Sequence, residues 1–217
     1  MGKLQRKKRN RKFTSFYRSH FGVQEPYRVV VDPEFILYCL ERKLDVKKTI
    51  AETLGSEKVT VVTSQCCLAY LRQKKRMSAV VVAKKFFKVK CGHMERAAPK
   101  PTSDIADVAV ETEEGIREID MSAVAPMRLD YSKAQPPETC IKDVIGASNS
   151  NKYILASGSL LVSKQFKKMT GLPQIAASKG KGLFLKEPSV EARKEADREL
   201  ATRLEVPAWE KRQLQSQ

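Results

Sequence analysis

The sequence predicts an α/β fold in which a parallel sheet is covered by helices on both faces. Short β-branched, apolar runs alternate along the chain with segments whose apolar residues recur at helical spacing. The runs have the length and composition of strands that are buried within a sheet. Strands that alternate with helices in this way are typical of a parallel sheet with helical crossovers.

The predicted strands and helices follow one another at short intervals. Strands are predicted at residues 27–31, 58–63, 153–156 and 173–177. Helices are predicted through residues 35–40, 66–71, 78–86 and 160–168. The first strand is expected to stop at Asp32-Pro33, because proline cannot continue the hydrogen-bonding ladder of a central strand.

Two further segments lie outside this pattern. We predict a basic N-terminal extension at residues 1–26, a domain at 27–188 and a helical tail at 189–217. The domain contains an acidic insertion at residues 97–137, which is too long for an ordinary loop. The tail has a narrow apolar stripe at every fourth position: Ala192, Ala196, Leu200 and Leu204. Such a stripe favours either weak packing on the domain or docking on a partner.

The chain is strongly basic. Its 217 residues include 41 Lys and Arg against 25 Asp and Glu, which gives a net charge of +16 and a pI near 9.7. Such a charge attracts polyanions and suits RNA, DNA or an anionic membrane surface. We find neither an apolar run of about 18 residues nor an apolar signal core, so we expect an intracellular protein without a membrane span.

Basic residues cluster at several places along the chain. Seven of the ten residues from 3 to 12 are Lys or Arg, which indicates a solubilising tail or a nucleolar address that also contacts phosphates. The candidate RNA contacts are Arg6, Lys7, Lys8, Arg9, Arg11, Arg72, Lys74, Lys75, Arg76, Lys84, Lys85, Lys88, Lys90, Lys164, Lys167 and Lys168. Each cluster alone is consistent with a solvated surface, whereas their joint surplus favours binding to a polyanion.

Aromatic residues are interleaved with the N-terminal basic residues. They are Phe13, Phe16, Tyr17 and Phe21. Aromatic rings in such a setting can stack on unpaired bases. Packing of the same rings on the domain or on a partner is the alternative.

The cysteines favour thiols or a metal site over a disulfide framework, because five is an odd number and a reducing compartment is expected. Cys91-Gly92-His93 places a thiolate and an imidazole two residues apart, and the glycine lets both face one ion. Tetrahedral zinc needs four ligands, and Cys3His is a common structural set. By spacing, Cys66 or Cys67 and Cys140 could complete the set, and buried thiols beside an exposed histidine remain the alternative.

Short motifs occur in a fixed order along the chain: Gln65-Cys66-Cys67-Leu68, Cys91-Gly92-His93, Glu138-Thr139-Cys140-Ile141 and Tyr153-Ile154-Leu155-Ala156-Ser157. Glu25-Pro26-Tyr27 precedes the first strand, and Gly171-Leu172-Pro173 precedes the last. In this order and spacing the chain resembles the PIN proteins of the small-subunit processome, and among them the branch called U three protein twenty-three. The resemblance extends from about residue 7 to residue 188, and the acidic insertion is the main departure.

The resemblance implies a PIN-like, Rossmann-like domain with a structural Cys-Cys-His-Cys zinc site. The ligands would be Cys66, Cys91, His93 and Cys140, which leaves Cys67 as a core thiol. Four protein ligands leave no coordination position for water or substrate, so this zinc would be structural. It would also fix the ends of the acidic insertion to the helix that carries Cys66.

The resemblance also bears on catalysis, because active PIN nucleases hold divalent metal ions with three or four acids at strand ends. Asp32 matches the first of these acids. The remaining acid positions hold Tyr70, Glu138, Thr139, Ser159 and Leu161. We therefore expect no catalytic residues and no nuclease activity, with an unaligned carboxylate such as Asp143 as the open alternative.

Together these features favour a non-catalytic RNA-binding assembly factor of small-subunit ribosome biogenesis in the nucleolus. The partners that the resemblance implies are pre-rRNA, a small nucleolar RNA and other processome proteins, and neither a membrane nor a small-molecule substrate is expected. The alternative is a metal-dependent PIN endoribonuclease that acts on pre-rRNA. A third possibility is a nuclear adaptor that binds only through its tails.

Overall fold

A six-stranded, mostly parallel sheet forms the centre of the molecule. The computed structural model describes residues 3–93, 133–178 and 182–204. Its strands are β1 (Tyr27–Val31), β2 (Val59–Ser64), β3 (Phe87–Val89), β4 (Ile154–Ser157), β5 (Gln174–Ser178) and β6 (Gly182–Leu185). Their order is β3-β2-β1-β4-β5-β6, and only β5 and β6 pair antiparallel.

Helices cover both faces of this sheet. The described residues form α1 (Lys3–Phe21), α2 (Pro33–Glu41), α3 (Val46–Leu54), α4 (Gln65–Gln73), α5 (Met77–Lys84), α6 (Pro137–Ile145), α7 (Leu160–Gln165) and α8 (Val190–Leu204). None of these helices combines the length and apolar character that a membrane span requires. The predicted α/β class, with a parallel sheet between two helical layers, is confirmed.

Successive residues of β1 pack into two separate apolar cores. Val29 and Val31 face the core formed with α1, α2, α3 and α5, whereas Val30 faces the core formed with α6 and α7. All three side chains are at most 1% exposed. Burying a valine in this way contributes about 1.5–3 kcal/mol. Burial on both sides explains why this strand is continuously apolar in sequence.

Polar side chains define where several helices begin. Asp32, Asp45 and Ser64 are the N-cap residues of α2, α3 and α4, and each accepts a hydrogen bond from the backbone three residues later. Asp32 directly follows β1, and Ser64 is the last residue of β2. The same residues therefore end a strand, start a helix and stand at the carboxyl edge of the sheet.

The predicted elements agree with the structure in kind and approximate position. The four predicted strands correspond to β1, β2, β4 and β5, and the four predicted helices to α2, α4, α5 and α7. The sequence reading did not identify α3, the short edge strands β3 and β6, or α6. β3 is only three residues long, and β6 is the antiparallel edge strand with alternating burial, so neither has the continuous burial of a central strand.

The N-terminal basic segment is a helix that packs on the sheet. Phe13 and Tyr17 on α1 are 7% and 5% exposed and belong to the first core. Phe16 and Phe21 are partly buried against that core. The predicted extension is thus a helix whose second half packs against the domain, because these rings recur on one side of it.

The structure describes only part of the other two predicted segments. Of the acidic insertion at 97–137, residues 97–132 lie outside the described residues, and α6 begins at Pro137. In the C-terminal segment, α8 covers residues 190–204 and packs beside α1. Ala192 and Ala196 are buried, whereas Leu200 and Leu204 are 47% and 71% exposed, so only the first half of the predicted stripe packs on the domain.

Candidate functional site

A cluster of three cysteines and one histidine lies at the carboxyl edge of the sheet. In the parallel pairing of β2 with β3, Ser64 lies opposite Val89. Cys66 and Cys91 each follow two residues after these partners, so the strand register brings them together. Gly92 has φ +69, a backbone angle that glycine adopts freely, and it turns the chain so that His93 also faces Cys66.

The spacing of the ligand atoms fits a tetrahedral metal ion. Cys66 Sγ lies 3.6 Å from Cys91 Sγ and 3.7 Å from His93 Nδ1. A tetrahedral ion with metal–sulfur bonds near 2.3 Å and metal–nitrogen bonds near 2.0 Å requires separations of roughly 3.5–3.8 Å. Cys140 completes a group whose ligand atoms all lie within 4.8 Å of one another. Among the described residues, these four form the group that could hold a metal ion.

Polar side chains around the cluster hold the ligands in place. Asp143 lies one turn after Cys140 on α6, and His93 Nε2 donates a hydrogen bond to its Oδ2 at 2.9 Å. This bond directs Nδ1 of the imidazole toward the sulfur atoms, as outer carboxylates commonly do at metal centres. Cys140 Sγ lies 3.1 Å from Ser64 Oγ, the cap of α4. Sequence reasoning missed Ser64 in this role, although a serine before a helical apolar run is a recognisable cap signal.

The thiols of the cluster are in distinct electrostatic environments. Burial raises the pKa of Cys66 and of Cys140 above the ordinary value for a thiol. Burial also acts to raise the pKa of Cys91, but hydrogen bonds from the His93 backbone and from Cys66 outweigh it and lower the pKa to about 7. Buried thiols that are costly to ionise alone become thiolates when a cation binds between them.

The remaining two cysteines are outside the cluster. Cys67 is fully buried in the second core, and burial raises its pKa to about 12. Cys39 is buried in the first core, with a pKa that burial likewise raises to about 12. Spacing alone left Cys66 and Cys67 as alternatives, and the structure brings Cys66 into the cluster. It places Cys67 among apolar side chains, as the resemblance implied.

Asp32 lies one strand away at the same carboxyl edge, where its carboxylate is enclosed by hydrogen-bond donors. Oδ1 accepts from the backbone N–H of Phe35 at 2.6 Å and of Gly158 at 3.1 Å. Oδ2 accepts from the Ser157 hydroxyl and from the Ser159 backbone N–H at 3.2 Å. The side chain is 1% exposed, and burial raises its pKa while these hydrogen bonds oppose that rise. Both oxygens are thus engaged in holding β1, β4 and α2 together.

A cleft of about 640 Å³ opens beside Asp32. Its walls include Glu34, Tyr70, Glu138, Ser159 and Leu161. The carboxylates of the cleft do not converge with Asp32 into a group of three that could hold a metal ion among the described residues. Asp143, the open alternative for a missing acid, is instead bonded to His93 at the cysteine cluster.

The candidate RNA contacts on α1 differ in exposure. Lys7, Lys8 and Arg11 are exposed, whereas Arg6 and Arg9 are half-buried. The Arg9 guanidinium lies 6.0 Å from the centre of the Phe13 ring, within reach of a cation–π interaction. The rings of Phe13 and Tyr17 lie in the core and are not open to bases. For these two residues the structure therefore agrees with the packing alternative.

The other basic clusters lie on different sides of the sheet. Lys84 and Lys85 end α5, which packs on the first core, whereas Lys164 lies on α7, which packs on the second. Arg72 is half-buried on α4, and the exposed members of the predicted set on these segments are Lys74, Lys75, Arg76, Lys84, Lys85, Lys88, Lys90, Lys164, Lys167 and Lys168. The structure therefore distributes the predicted contacts around the domain and does not gather them into one patch.

The sequence profile of the Fcf1 family matches residues 52–118 and 120–184, which together make up more than half of the chain. The chain belongs to the Fcf1 family. It is also similar to the rRNA-processing protein utp23 of Schizosaccharomyces pombe, with 33% identity over 94 residues. That alignment covers 42% of this chain and 36% of the relative, so the chain matches about a third of the relative's length.

A comparison of structures extends this assignment to the fold. The solved structure of the PIN domain endonuclease Utp24 has a TM-score of 0.51 with this chain at 17% sequence identity. The alignment covers 76% of this chain and 94% of the Utp24 chain. At this level of identity the likeness concerns the fold alone. The PIN-like fold and the family that the sequence motifs indicated for this Fcf1-family chain are confirmed.

Proposed function

We propose that this Fcf1-family chain is a non-catalytic RNA-binding assembly factor of small-subunit ribosome biogenesis, acting in the nucleolus. The observation that carries the proposal is the state of Asp32, whose two carboxylate oxygens are both occupied by internal donors. A divalent ion such as Mg²⁺ needs free carboxylate oxygens in near-octahedral arrangement. Of the residues that line the cleft beside Asp32, Tyr70, Ser159, Leu160 and Leu161 offer no carboxylate, whereas Glu34 and Glu138 do.

Charge and family support RNA as the ligand. The net charge of +16 gives a field that favours a polyanion. The similar S. pombe protein carries the name of an rRNA-processing protein. The partners we propose are pre-rRNA, a small nucleolar RNA and other proteins of the small-subunit processome.

The cysteine–histidine cluster is proposed to hold one structural zinc ion. Cys66, Cys91, His93 and Cys140 fit zinc because three sulfurs and one imidazole nitrogen converge within 4.8 Å of one another, and Cys66 lies at tetrahedral separations from Cys91 and His93. These four ligands leave no position for a reacting water. The ion would tie β3, α4 and α6 together and so would brace the carboxyl edge of the sheet.

The alternative is a metal-dependent endoribonuclease, and the cleft beside Asp32 is the observation that favours it. Glu34 and Glu138 both line this cleft at the edge of the sheet where ligands of parallel sheets commonly bind. A metal ion bound by these two carboxylates could in principle activate a water. If this alternative is correct, the hydrolysis of RNA depends on the carboxylates of Glu34 and Glu138.

A cleavage assay separates the two functions. Wild-type protein is incubated with a pre-rRNA fragment and Mg²⁺ or Mn²⁺, beside the double variant Glu34→Gln/Glu138→Gln and the remote control Glu57→Gln. We expect the three proteins to leave the RNA equally intact while binding it. Specific cleavage by the wild type and the control that is lost in the double variant would establish the nuclease.

A further inference from the structure

A second cleft, of about 360 Å³, lies between α7 and the segment that joins β6 to α8. Three lysines line it: Lys164 and Lys167 from the α7 side and Lys186 directly after β6. Positive charges on residues that line one cavity repel one another, and an anion bound among them offsets that repulsion. The cavity has room for about ten water molecules, at roughly 30 Å³ each, and hence for a phosphate group.

Lys186 is held in this cleft by a neutral partner. Its Nζ donates to Gln174 Oε1 at 2.9 Å, and Gln174 Nε2 in turn donates to the Phe166 carbonyl at 3.0 Å. Gln174 is only 8% exposed. These two hydrogen bonds therefore hold the Lys186 ammonium group on a buried side chain. Among the described residues, Lys186 forms no ion pair with a carboxylate. A half-buried charge without a counterion is costly, and a bound anion would offset that cost.

Two hydroxyl groups also lie along the cleft. Tyr17 is 5% exposed and lines the cavity, and its hydroxyl has no hydrogen-bond partner among the described residues. Ser189 lines it as well, where its oxygen accepts from the Ala192 backbone and its hydroxyl donates to the Glu191 carboxylate. Hydroxyl and ammonium donors together form the set that phosphate oxygens accept from.

The acidic side chains near the cleft already have partners or are exposed to solvent. Glu187 lines the cavity, but its carboxylate pairs with Arg193 on α8. Glu191 is exposed, and its pKa is lowered first by hydrogen bonds from its own backbone N–H and from Ser189 and then by the nearby charge of Lys167. Lys164 and Lys186 have no carboxylate partner among the described residues. The balance of charge in the cleft is therefore positive.

We propose that this cleft binds one phosphate group of an RNA strand, with Lys186 as its anchoring residue and Lys164 and Lys167 beside it. The inference rests on the proposed function and adds Lys186, which the basic clusters of the sequence do not include, to Lys164 and Lys167, which they do include. Lys186 is a single lysine between Leu185 and Glu187, so no run of charge marks it in the sequence. Only the fold brings it beside Lys164 and Lys167.

The test measures RNA affinity at three salt concentrations with a single-stranded RNA of mixed sequence. The proteins are wild type, Lys186→Met, Lys186→Arg and Lys58→Met, which removes an exposed lysine from the amino end of β2. Losing one phosphate contact should lower the slope of log affinity against log salt by about 0.7 and the affinity about fivefold at 0.1 M salt. Lys186→Arg should keep the wild-type slope, and Lys58→Met should match the wild type.

The possible results bear on different claims. If wild-type protein does not bind RNA at low salt, the proposed function fails and the cleft proposal with it. If the wild type binds and Lys186→Met has the same slope as Lys58→Met, the cleft proposal alone is overturned. A second measurement covers the case of an unfolded variant: amine acetylation of wild-type protein should be suppressed at Lys186 by bound RNA, and an unchanged rate there would overturn the proposal.

Discussion

Asp32 shows how an acid at a strand end can hold the surrounding elements together. It caps α2 and bonds to the Ser157 side chain and to the backbone after β4, so it connects three elements at the edge of the sheet. The sequence identified the position as an acid at a strand end. It could not show that the donors around this acid leave neither oxygen free, because three of the four donors come from residues more than 120 positions away.

Replacing Asp32 with asparagine should therefore destabilise the protein. The new amide would turn one acceptor into a donor that faces a backbone N–H of Ser159 or of Phe35, and a buried unsatisfied donor costs about 1–3 kcal/mol. Urea unfolding would measure the loss. Asp45→Asn is the matched control, because Asp45 caps α3 at the surface, where asparagine caps equally well. Equal stability of the two variants would contradict the structural role of Asp32.

The cysteine–histidine cluster shows what motif order and spacing could establish about individual residues. The resemblance indicated Cys66, Cys91, His93 and Cys140, whereas spacing alone left Cys67 as an alternative to Cys66. Neighbouring residues on a helix point about 100° apart, so only one of the two can face Cys91. The deciding information is the register of β3 on β2, and β3 is too short to be recognised in the sequence.

Purified protein should contain about one zinc ion per chain, because the site has four converging ligands. Asp143→Ala should keep these ligands but weaken zinc binding by about 10–100-fold, since His93 loses the carboxylate that orients it. Competition with a chromophoric chelator would measure the affinity. Lys142→Ala, the neighbouring exposed position on α6, should behave as wild type. A zinc-free protein from a preparation without chelators, or equal affinities, would contradict this role.

At the scale of elements, α1 departs most from what the sequence indicated. Its basic residues are those of a tail, yet Phe13 and Tyr17 attach it to the first core and it contacts α3, β6 and α8. The charge of the segment obscured its apolar side, because two large rings among many lysines and arginines give only a weak amphipathic pattern. Lys7, Lys8 and Arg11 are thus presented from a packed helix.

Truncating the Phe13 side chain should remove much of the stability that the packing of α1 contributes. Phe13→Ala should cost about 3–5 kcal/mol in the free energy of unfolding, as large-to-small changes in a core do. Leu4→Ala on the same helix should cost little, since Leu4 is 68% exposed. Thermal and urea unfolding of both variants would check the difference. Similar small losses would show that α1 behaves in solution as the tail that the sequence indicated.

At the scale of the whole molecule, the sheet and the general charge were predictable, whereas the arrangement of charge was not. The central strands are continuously apolar, so their local composition identifies them. The positions of the basic residues relative to one another depend on which face each helix covers. This is why the lysines of α5 and α7, which belong to separate clusters in the sequence, lie on opposite faces of one domain.

The central claim is that this molecule binds RNA and does not cut it, and the most direct test is the level of mature small-subunit rRNA. Cells depleted of the native protein would receive wild type, Glu34→Gln/Glu138→Gln, or Lys7→Ala/Lys8→Ala/Arg11→Ala. The acid variant should restore rRNA to the wild-type level, whereas the basic variant should restore less because it loses phosphate contacts. Failure of the acid variant to restore rRNA, while it still folds and binds RNA, would contradict the claim.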